Sequence, residues 1–102
     1  MKEIKAIIQP FMLEAVINAL HQIKGLPAVT VSTVQGIAVE RGSSEHVKKT
    51  KLEIIVRDEL VEAVVQAIQQ HSHTGNPGDG AIFVSAVEQT VKIRTGQRSV
   101  DG

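Results

Sequence analysis

The chain of 102 residues has no cysteine, no tryptophan and no tyrosine, and its only aromatic side chains are Phe11 and Phe83. Without cysteine it can form neither disulfides nor thiolate metal sites, which is typical of a cytoplasmic protein. Two aromatic rings are too few for a surface on which nucleic-acid bases stack. The absence of tyrosine also excludes regulation by covalent modification of a tyrosine.

Excess charge and long apolar runs are missing as well. Eleven Lys and Arg residues balance eleven Asp and Glu residues, which argues against a general nucleic-acid binder and against a polybasic membrane surface. No apolar run approaches the ~18 residues of a membrane span, and the first residues, MKEIKAII, lack the apolar core of a signal peptide. We therefore expect a single cytoplasmic domain over residues 1–102, without membrane insertion.

Two stretches of the chain repeat one another at an offset of 48 residues. Residues 4–8 (IKAII) match residues 52–56 (LEIIV), and residues 14–20 (EAVINAL) match residues 62–68 (EAVVQAI). In each half, apolar residues first alternate at period two, as in a strand, and then recur at helical spacing. Further strands are predicted at 29–34, 82–87 and 91–94. The order βαββαβ with a short extra C-terminal strand predicts an α+β, ferredoxin-like sandwich.

The predicted helix starts and strands carry two further signals. Pro10 suits the first turn of the first helix, and Asp58 suits the N-cap of the second, with Glu59 at its positive end. Adjacent apolar residues, as at 54–55 and 83–84, make both faces of the predicted sheet apolar. In so small a domain, a sheet with two apolar faces predicts an oligomer.

The glycine-rich stretch at residues 74–84 (TGNPGDGAIFV), followed by residues 91–96 (VKIRTG), predicts a phosphate site. Glycines allow main-chain N–H groups to crowd around an anion. On a strand, Lys92 and Arg94 would project to one face and add positive charge. From the residues alone, a solvated edge strand with protective cations explains the same pattern equally well.

Residues 36–49 (GIAVERGSSEHVKK) break all periodicity between the second and third strands. Such a long connection indicates a functional loop, although a plain surface connection is the alternative. His46, His71 and His73 are candidate metal ligands, but the spacing of the last two suits only extended chain, and exposed histidines are common. No catalytic motif or cysteine nucleophile is present, so we expect a binding protein and not an enzyme.

These blocks resemble the PII signal-transduction family, and the resemblance also covers residues 1–11 (MKEIKAIIQPF), 29–36 (VTVSTVQG) and 51–56 (KLEIIV). It implies a homotrimer that binds ATP or ADP, with AMP as a further option, in clefts between subunits, and it leaves a role for Mg²⁺ open. It also implies that loop 36–49, the family's T-loop, regulates a protein partner, which we expect to be a membrane transporter. Residues 95–102 would form a C-terminal tail.

The resemblance assigns nucleotide contacts to nine residues: Ile7, Thr30, Gly36, Ile55, Gly78, Asp79, Gly80, Lys92 and Arg94. The chain departs from the family at Ala81, where Lys or Arg is usual, and at GIAVE (residues 36–40), where GFGRQ is usual. In the resembling proteins the Gln of GFGRQ binds Mg²⁺ and 2-oxoglutarate, and Glu40 is its nearest equivalent in this chain. The segments GLPAVTVS (residues 25–32) and TGNPGDG (residues 74–80) resemble sequences of a PII subgroup associated with heavy-metal efflux. The alternative function is therefore a metal-responsive regulator on a PII scaffold with a weakened nucleotide site.

Overall fold

The computed structural model describes residues 1–40, 42 and 44–99, and its elements follow the order that the repeat predicts. These elements are β1 (Lys2–Ile8), α1 (Leu13–Leu20), β2 (Thr30–Gly36), β3 (Val47–Val56), α2 (Val61–Ser72), β4 (Gly80–Ala86), β5 (Thr90–Val91) and β6 (Arg98–Ser99). A 3-10 turn precedes each helix, at Pro10–Met12 and at Asp58–Leu60. The predicted α+β order βαββαβ is confirmed, and β2 and β4 lie within two residues of their predicted bounds.

The main sheet has the strand order β2-β3-β1-β4, and every neighbouring pair is antiparallel. At one end of the sheet Ile8 pairs with Thr50 and with Gly80, and at the other end Lys2 pairs with Val56 and with Ala86. We call these the loop end and the hairpin end. This is the strand order that two right-handed βαβ crossovers produce, as in a ferredoxin-like sandwich.

The hydrophobic core consists of five residue pairs separated by 48 positions. The fully buried apolar side chains are Ile4 and Leu52, Ala6 and Ile54, Ile8 and Val56, Val16 and Val64, and Leu20 and Ile68. In the strands these residues alternate with less buried ones, and in the helices they lie four apart on one face. The repeat in the sequence therefore marks the residues that pack between the helices and one face of the sheet.

The face of the sheet away from the helices, here called the open face, is not covered by any element of the described residues. Its central positions carry both charged and apolar side chains, and all of them are half-buried. They are Lys5 and Ile7 on β1, and Lys51, Glu53 and Ile55 on β3. Lys51 and Glu53 form an ion pair at 3.8 Å. A mixed, partly apolar face of this kind fits a contact with another copy of the chain, and the oligomer stays a prediction.

The predicted N-cap at Asp58 is wrong. Residues 58–60 form the 3-10 turn, so Asp58 lies inside the turn, and Arg57 precedes it without a side-chain cap. The Asp58 carboxylate instead accepts a hydrogen bond from the α-ammonium group of Met1 at 2.7 Å, with Lys2 Nζ 3.5 Å from the same oxygen. The hydrogen bond from the ammonium group lowers the pKa of Asp58, and Lys2 adds to that effect.

The predicted strand at 91–94 is also wrong. Only Thr90 and Val91 are extended, and they pair with Ser99 and Arg98 in a separate two-stranded hairpin. Residues 92–97 form its turn, closed by hydrogen bonds from Lys92 N to Gln97 O (2.9 Å) and from Gly96 N to Lys92 O (2.7 Å). Part of the predicted tail is thus strand β6, while residues 100–102 lie outside the described residues.

The connection between β2 and β3 is shorter than predicted, because both strands continue into residues 36–49. Gly36 pairs with Val47, so the connection comprises residues 37–46, of which 41 and 43 lie outside the described residues. At its base His46 Nδ1 lies 2.6 Å from Gln35 Oε1. No helix among the described residues has the length and apolar character needed to cross a membrane.

Candidate functional site

The glycine-rich stretch forms a closed loop between α2 and β4, and the Asp79 carboxylate holds it together. This carboxylate accepts hydrogen bonds from the main-chain N–H groups of Thr74 (2.8 Å) and Gly75 (2.9 Å) and from the Thr74 hydroxyl. The Thr74 hydroxyl bond contributes most to lowering the pKa of Asp79, followed by the Thr74 amide. Asp79 is one of the predicted nucleotide contacts, and its side chain is engaged within the loop, where it shapes the site.

Gly80 is required where the loop joins the sheet. Its φ is +106°, and a Cβ at this position would lie 1.7 Å from the carbonyl oxygen of Ile7. Only glycine lets β4 approach β1 so closely in that conformation. Gly75 (+88°) and Gly78 (+95°) also have positive φ, so the loop passes through three conformations that L side chains rarely adopt.

One main-chain donor of the loop remains available to a ligand. In the described part of the chain, the N–H group of Gly78 has no hydrogen-bond partner, whereas residues 77–78 form a turn that directs the Asp79 N–H toward the Asn76 carbonyl. Gly78 is exposed. A free amide in a glycine-rich turn can bind a phosphate or carboxylate oxygen.

Lys49 and Gln9 lie beside the loop, and the sequence did not identify either as a site residue. Lys49 Nζ donates to Gly78 O at 2.5 Å, and the Gln9 amide nitrogen would be 3.2 Å from a Cβ built on Gly78. Lys49 shares the open face of β3 with Lys51 because the two are two residues apart. Assigning residue 49 to the connecting loop concealed that relation.

The predicted site residues separate into two clusters near opposite edges of the sheet. The loop cluster contains Ile7 and Gly78–Gly80, next to edge strand β4; the edge cluster contains Thr30 and Ile55, on edge strand β2 and its neighbour β3. Three strand spacings of about 4.8 Å place β2 roughly 14 Å from β4. One copy of the chain therefore does not bring the two clusters together. Gly36 lies at the loop end of the sheet but on the β2 edge.

Each cluster borders its own depression. At the loop cluster, a cavity of about 350 Å³ lies between the end of α2 and the start of β4. At the edge cluster, a depression of about 470 Å³ is lined by Thr30 and Ile55 together with Glu3, Pro27, Ala28 and Glu53. Both are open to solvent, so each can serve as half of a larger cleft.

Lys92 and Arg94 lie far from the glycine loop of their own chain. Strand β4 starts at Gly80 beside Ile8 and ends at Ala86 beside Lys2. Its seven residues span roughly 20 Å, and the hairpin with both cations follows from that far end. The two side chains are exposed and project from a turn, so they are available to a ligand held by another copy.

The three candidate histidines do not form a metal site in the described residues, where no group of three His, Asp or Glu side chains lies close enough to hold an ion. His46 contacts Gln35, and His71 Nδ1 lies 2.9 Å from the carbonyl oxygen of Ala67. His73 lies at the cavity beside the glycine loop. These separate positions give the metal-responsive alternative no support.

Comparison with known proteins identifies relatives over nearly the whole chain. The model of the family "Nitrogen regulatory protein P-II" matches residues 1–97. The chain is 42% identical to the nitrogen regulatory protein P-II of Azospirillum brasilense over 111 aligned positions, which cover 99% of the chain and 98% of the relative. Identity to the protein of the same name is 43% for Rhodospirillum rubrum and 39% for Haemophilus influenzae, with the same coverage. None of these names concerns metal efflux, so the resemblance to that subgroup stays a prediction.

Proposed function

We propose that this chain, which belongs to the nitrogen regulatory protein P-II family, binds ATP or ADP between the subunits of a cytoplasmic homotrimer. The family consists of regulatory signalling proteins and not of enzymes. A regulator of this kind needs a ligand site and a surface that reports its occupancy to a partner.

The separation of the two clusters supports a site between subunits. A ligand that contacts both needs the loop cluster of one copy and the edge cluster of the next, which is a head-to-tail contact. Head-to-tail contacts close into a ring when the rotation between copies permits it, and three copies give three equivalent clefts. The hairpin of the second copy would then bring Lys92 and Arg94 to the loop of the first.

The chemistry of the clusters suits the two ends of a nucleotide. The free amide of Gly78, with Lys49 and the neighbour's Lys92 and Arg94, would bind the phosphates through charge-assisted hydrogen bonds. The half-buried Ile55 and the hydroxyl of Thr30 offer an apolar surface and a hydrogen-bonding group to the base. Ala81 adds no charge, and the cation absent there would contribute about 1.5–3 kcal/mol.

The connection at residues 37–46 is the surface that would contact the protein partner. Val39 is 84% exposed and Ile37 45% exposed at its start, so apolar side chains face solvent on this connection. Such side chains typically mark a protein contact. Gly36 joins this connection to the loop end of the sheet, so ligand binding there can alter its position. A membrane transporter is the partner we propose.

Calorimetric titration with ATP, ADP and AMP tests nucleotide binding. We expect Lys49→Ala and Arg94→Ala each to weaken ADP binding about tenfold to a hundredfold, since each removes a charge-assisted contact. Lys48→Ala is the matched control for Lys49→Ala, because Lys48 points to the opposite face of β3. Arg57→Ala is the control for Arg94→Ala, because Arg57 follows β3 at the hairpin end of the sheet. Unchanged binding in the first two variants would contradict the assigned site.

Mixed oligomers test whether the site is shared. If Lys49→Ala and Arg94→Ala chains are refolded together, one junction in each mixed trimer joins an intact loop to an intact hairpin. Random mixing then restores about a quarter of the high-affinity sites. A site contained within one chain would show no recovery in the mixture, and that result would overturn the shared cleft.

A further inference from the structure

The cavity at the loop cluster is lined by one carboxylate, that of Asp79, and by no Lys or Arg side chain among the described residues. Its walls are largely apolar, with Ile7, Ile8, Ala81 and Ile82 from β1 and β4. Asp79 and His73 are the titratable side chains that line it. The Asp79 carboxylate is a fixed anion, and position 81, which borders the same cavity, carries only a methyl group. A phosphate that enters the cavity therefore meets the negative charge of Asp79, which Lys49 beside the loop and a protonated His73 would offset.

His73 is placed to provide a positive charge. It follows α2 directly with extended backbone (φ −78°, ψ 127°), and its side chain is exposed. Two atoms of its ring would be 3.9 Å from a Cβ on Gly75, and its charge acts on Asp79. Among the described residues its ring nitrogens have no hydrogen-bond partner, so both are available to a ligand.

Three other charged or titratable groups near this end of the sheet make contacts within the chain. Lys49, from β3, donates to the carbonyl of Gly78, and His71, on the same helix, is turned back toward the carbonyl of Ala67. Asp79, from the loop, accepts three hydrogen bonds from Thr74 and Gly75. The cavity-lining residues of β1 are aliphatic. Among the described residues, His73 is thus the titratable side chain of this cavity that has no hydrogen-bond partner.

We propose that protonated His73 supplies the positive charge that Ala81 lacks, so that this chain binds the phosphate end of its nucleotide more tightly as the pH falls from 8 to 6. The inference rests on the proposed nucleotide site and adds a specificity-determining residue to it. An imidazole changes its charge in this pH range, whereas a lysine at position 81 would stay charged throughout. Nucleotide binding would therefore respond to pH here.

Calorimetry with ADP at pH 6 and pH 8 tests this for the full chain, His73→Gln and His71→Gln. The terminal phosphate of ADP also titrates near pH 6, but that contribution is common to all three proteins. We expect His73→Gln to match the wild type at pH 8 and to bind about three- to tenfold more weakly at pH 6. His71→Gln should match the wild type at both pH values, because His71 does not line the cavity and its Nδ1 lies 2.9 Å from the Ala67 carbonyl oxygen.

Proton uptake provides a second readout that a merely structural role would not change. Titrations near pH 7 in two buffers with different ionisation enthalpies give the number of protons bound with ADP. We expect the His73→Gln value to fall below that of the wild type and of His71→Gln by a fraction of a proton. Adding Ala81→Lys to His73→Gln should restore the affinity without restoring this uptake.

The possible failures are distinguishable. If His73→Gln keeps the wild-type pH profile and proton uptake, the role of His73 is wrong while the nucleotide site stands. If no protein, including the Ala81→Lys variant, binds ADP, ATP or AMP at millimolar concentration at either pH, the proposed function itself fails and this inference with it. Thermal unfolding of each variant checks that the exposed substitutions leave the fold intact.

Discussion

The two halves of the chain share one packing pattern but end their helices in different ways. In the first half, the residues after α1 are mostly apolar, and they line a groove with α1 and the start of β2. In the second half, the residues after α2 form the polar loop that Asp79 closes. The core is therefore the part of the repeat that both halves keep. The candidate site lies at the connection where the halves differ.

A glycine from each connection provides the sharpest contrast. Gly80→Ala should lower the free energy of unfolding by about 4 kcal/mol, because the added Cβ would overlap the Ile7 carbonyl. Gly25→Ala should cost about 1–2 kcal/mol, since φ is +87° but the nearest atom, on Leu60, lies 3.7 Å away. Urea denaturation measures both. A larger loss for Gly25→Ala would reverse the comparison.

Truncating a core side chain should cost similar stability in both halves of the chain. Val16 and Val64 are related by the repeat and are both 0% exposed, so replacing either with Ala should cost about 2–3 kcal/mol. The two losses should agree within about 1 kcal/mol, and Val39→Ala, at an exposed position, should change stability by less than about 0.5 kcal/mol. Thermal and urea unfolding provide the values. Losses that differ strongly between the two valines would show that the halves do not share one packing pattern.

We expect the smallest effect from a substitution of Asp79, whose carboxylate closes the connection between α2 and β4 but has no counterpart after α1. Asp79→Asn should speed the hydrogen exchange of the Thr74 and Gly75 amides, because it removes the charge from two of their hydrogen bonds. Amides at residues 21–29 should not change. Glu88→Gln, at an exposed carboxylate beyond β4, is the matched control. Equal protection in Asp79→Asn and the wild type would mean that Asp79 does not hold the loop.

The same carboxylate predicts a pH dependence. Its folded-state pKa is lowered from the ordinary value of 3.8, so the stabilisation is complete above that value and is lost as the pH falls through the lower folded-state pKa. Exchange at the Thr74 amide, corrected for its intrinsic pH dependence, should therefore rise only below about pH 4. The first connection has no such carboxylate and should show no corresponding change. A loop transition above pH 5 would contradict this assignment.

The sequence predicted the elements that depend on periodicity and failed where long-range contacts decide. The offset of 48 residues identified the core and the element order, because buried positions repeat at fixed spacing in strands and helices. Two-residue spacing could not distinguish a strand at residues 91–94 from a hairpin turn. Asp58 resembles an N-cap locally, but its partner, Met1, is 57 residues away. Local patterns carry no information about such a partner.

For the candidate site, the sequence indicated the glycine loop but not its surroundings. Gly78 and Gly80 mark the loop because only glycine adopts its positive φ angles readily. The approach of Lys49 to Gly78 depends on the registers of β3 and β4 against β1, and the distance between Ile7 and Thr30 depends on the strand order. Neither follows from spacing along the chain. The resemblance to a known family supplied the residue assignments that periodicity could not.

The position of Thr30 and Gly80 near opposite edges of the sheet also has a thermodynamic consequence. A ligand that contacts both clusters must join two chains, so part of its binding free energy becomes free energy of assembly. Apparent nucleotide affinity would then weaken on dilution of the protein, and added nucleotide would slow the exchange of subunits. The same small molecule would act as signal and as cross-link.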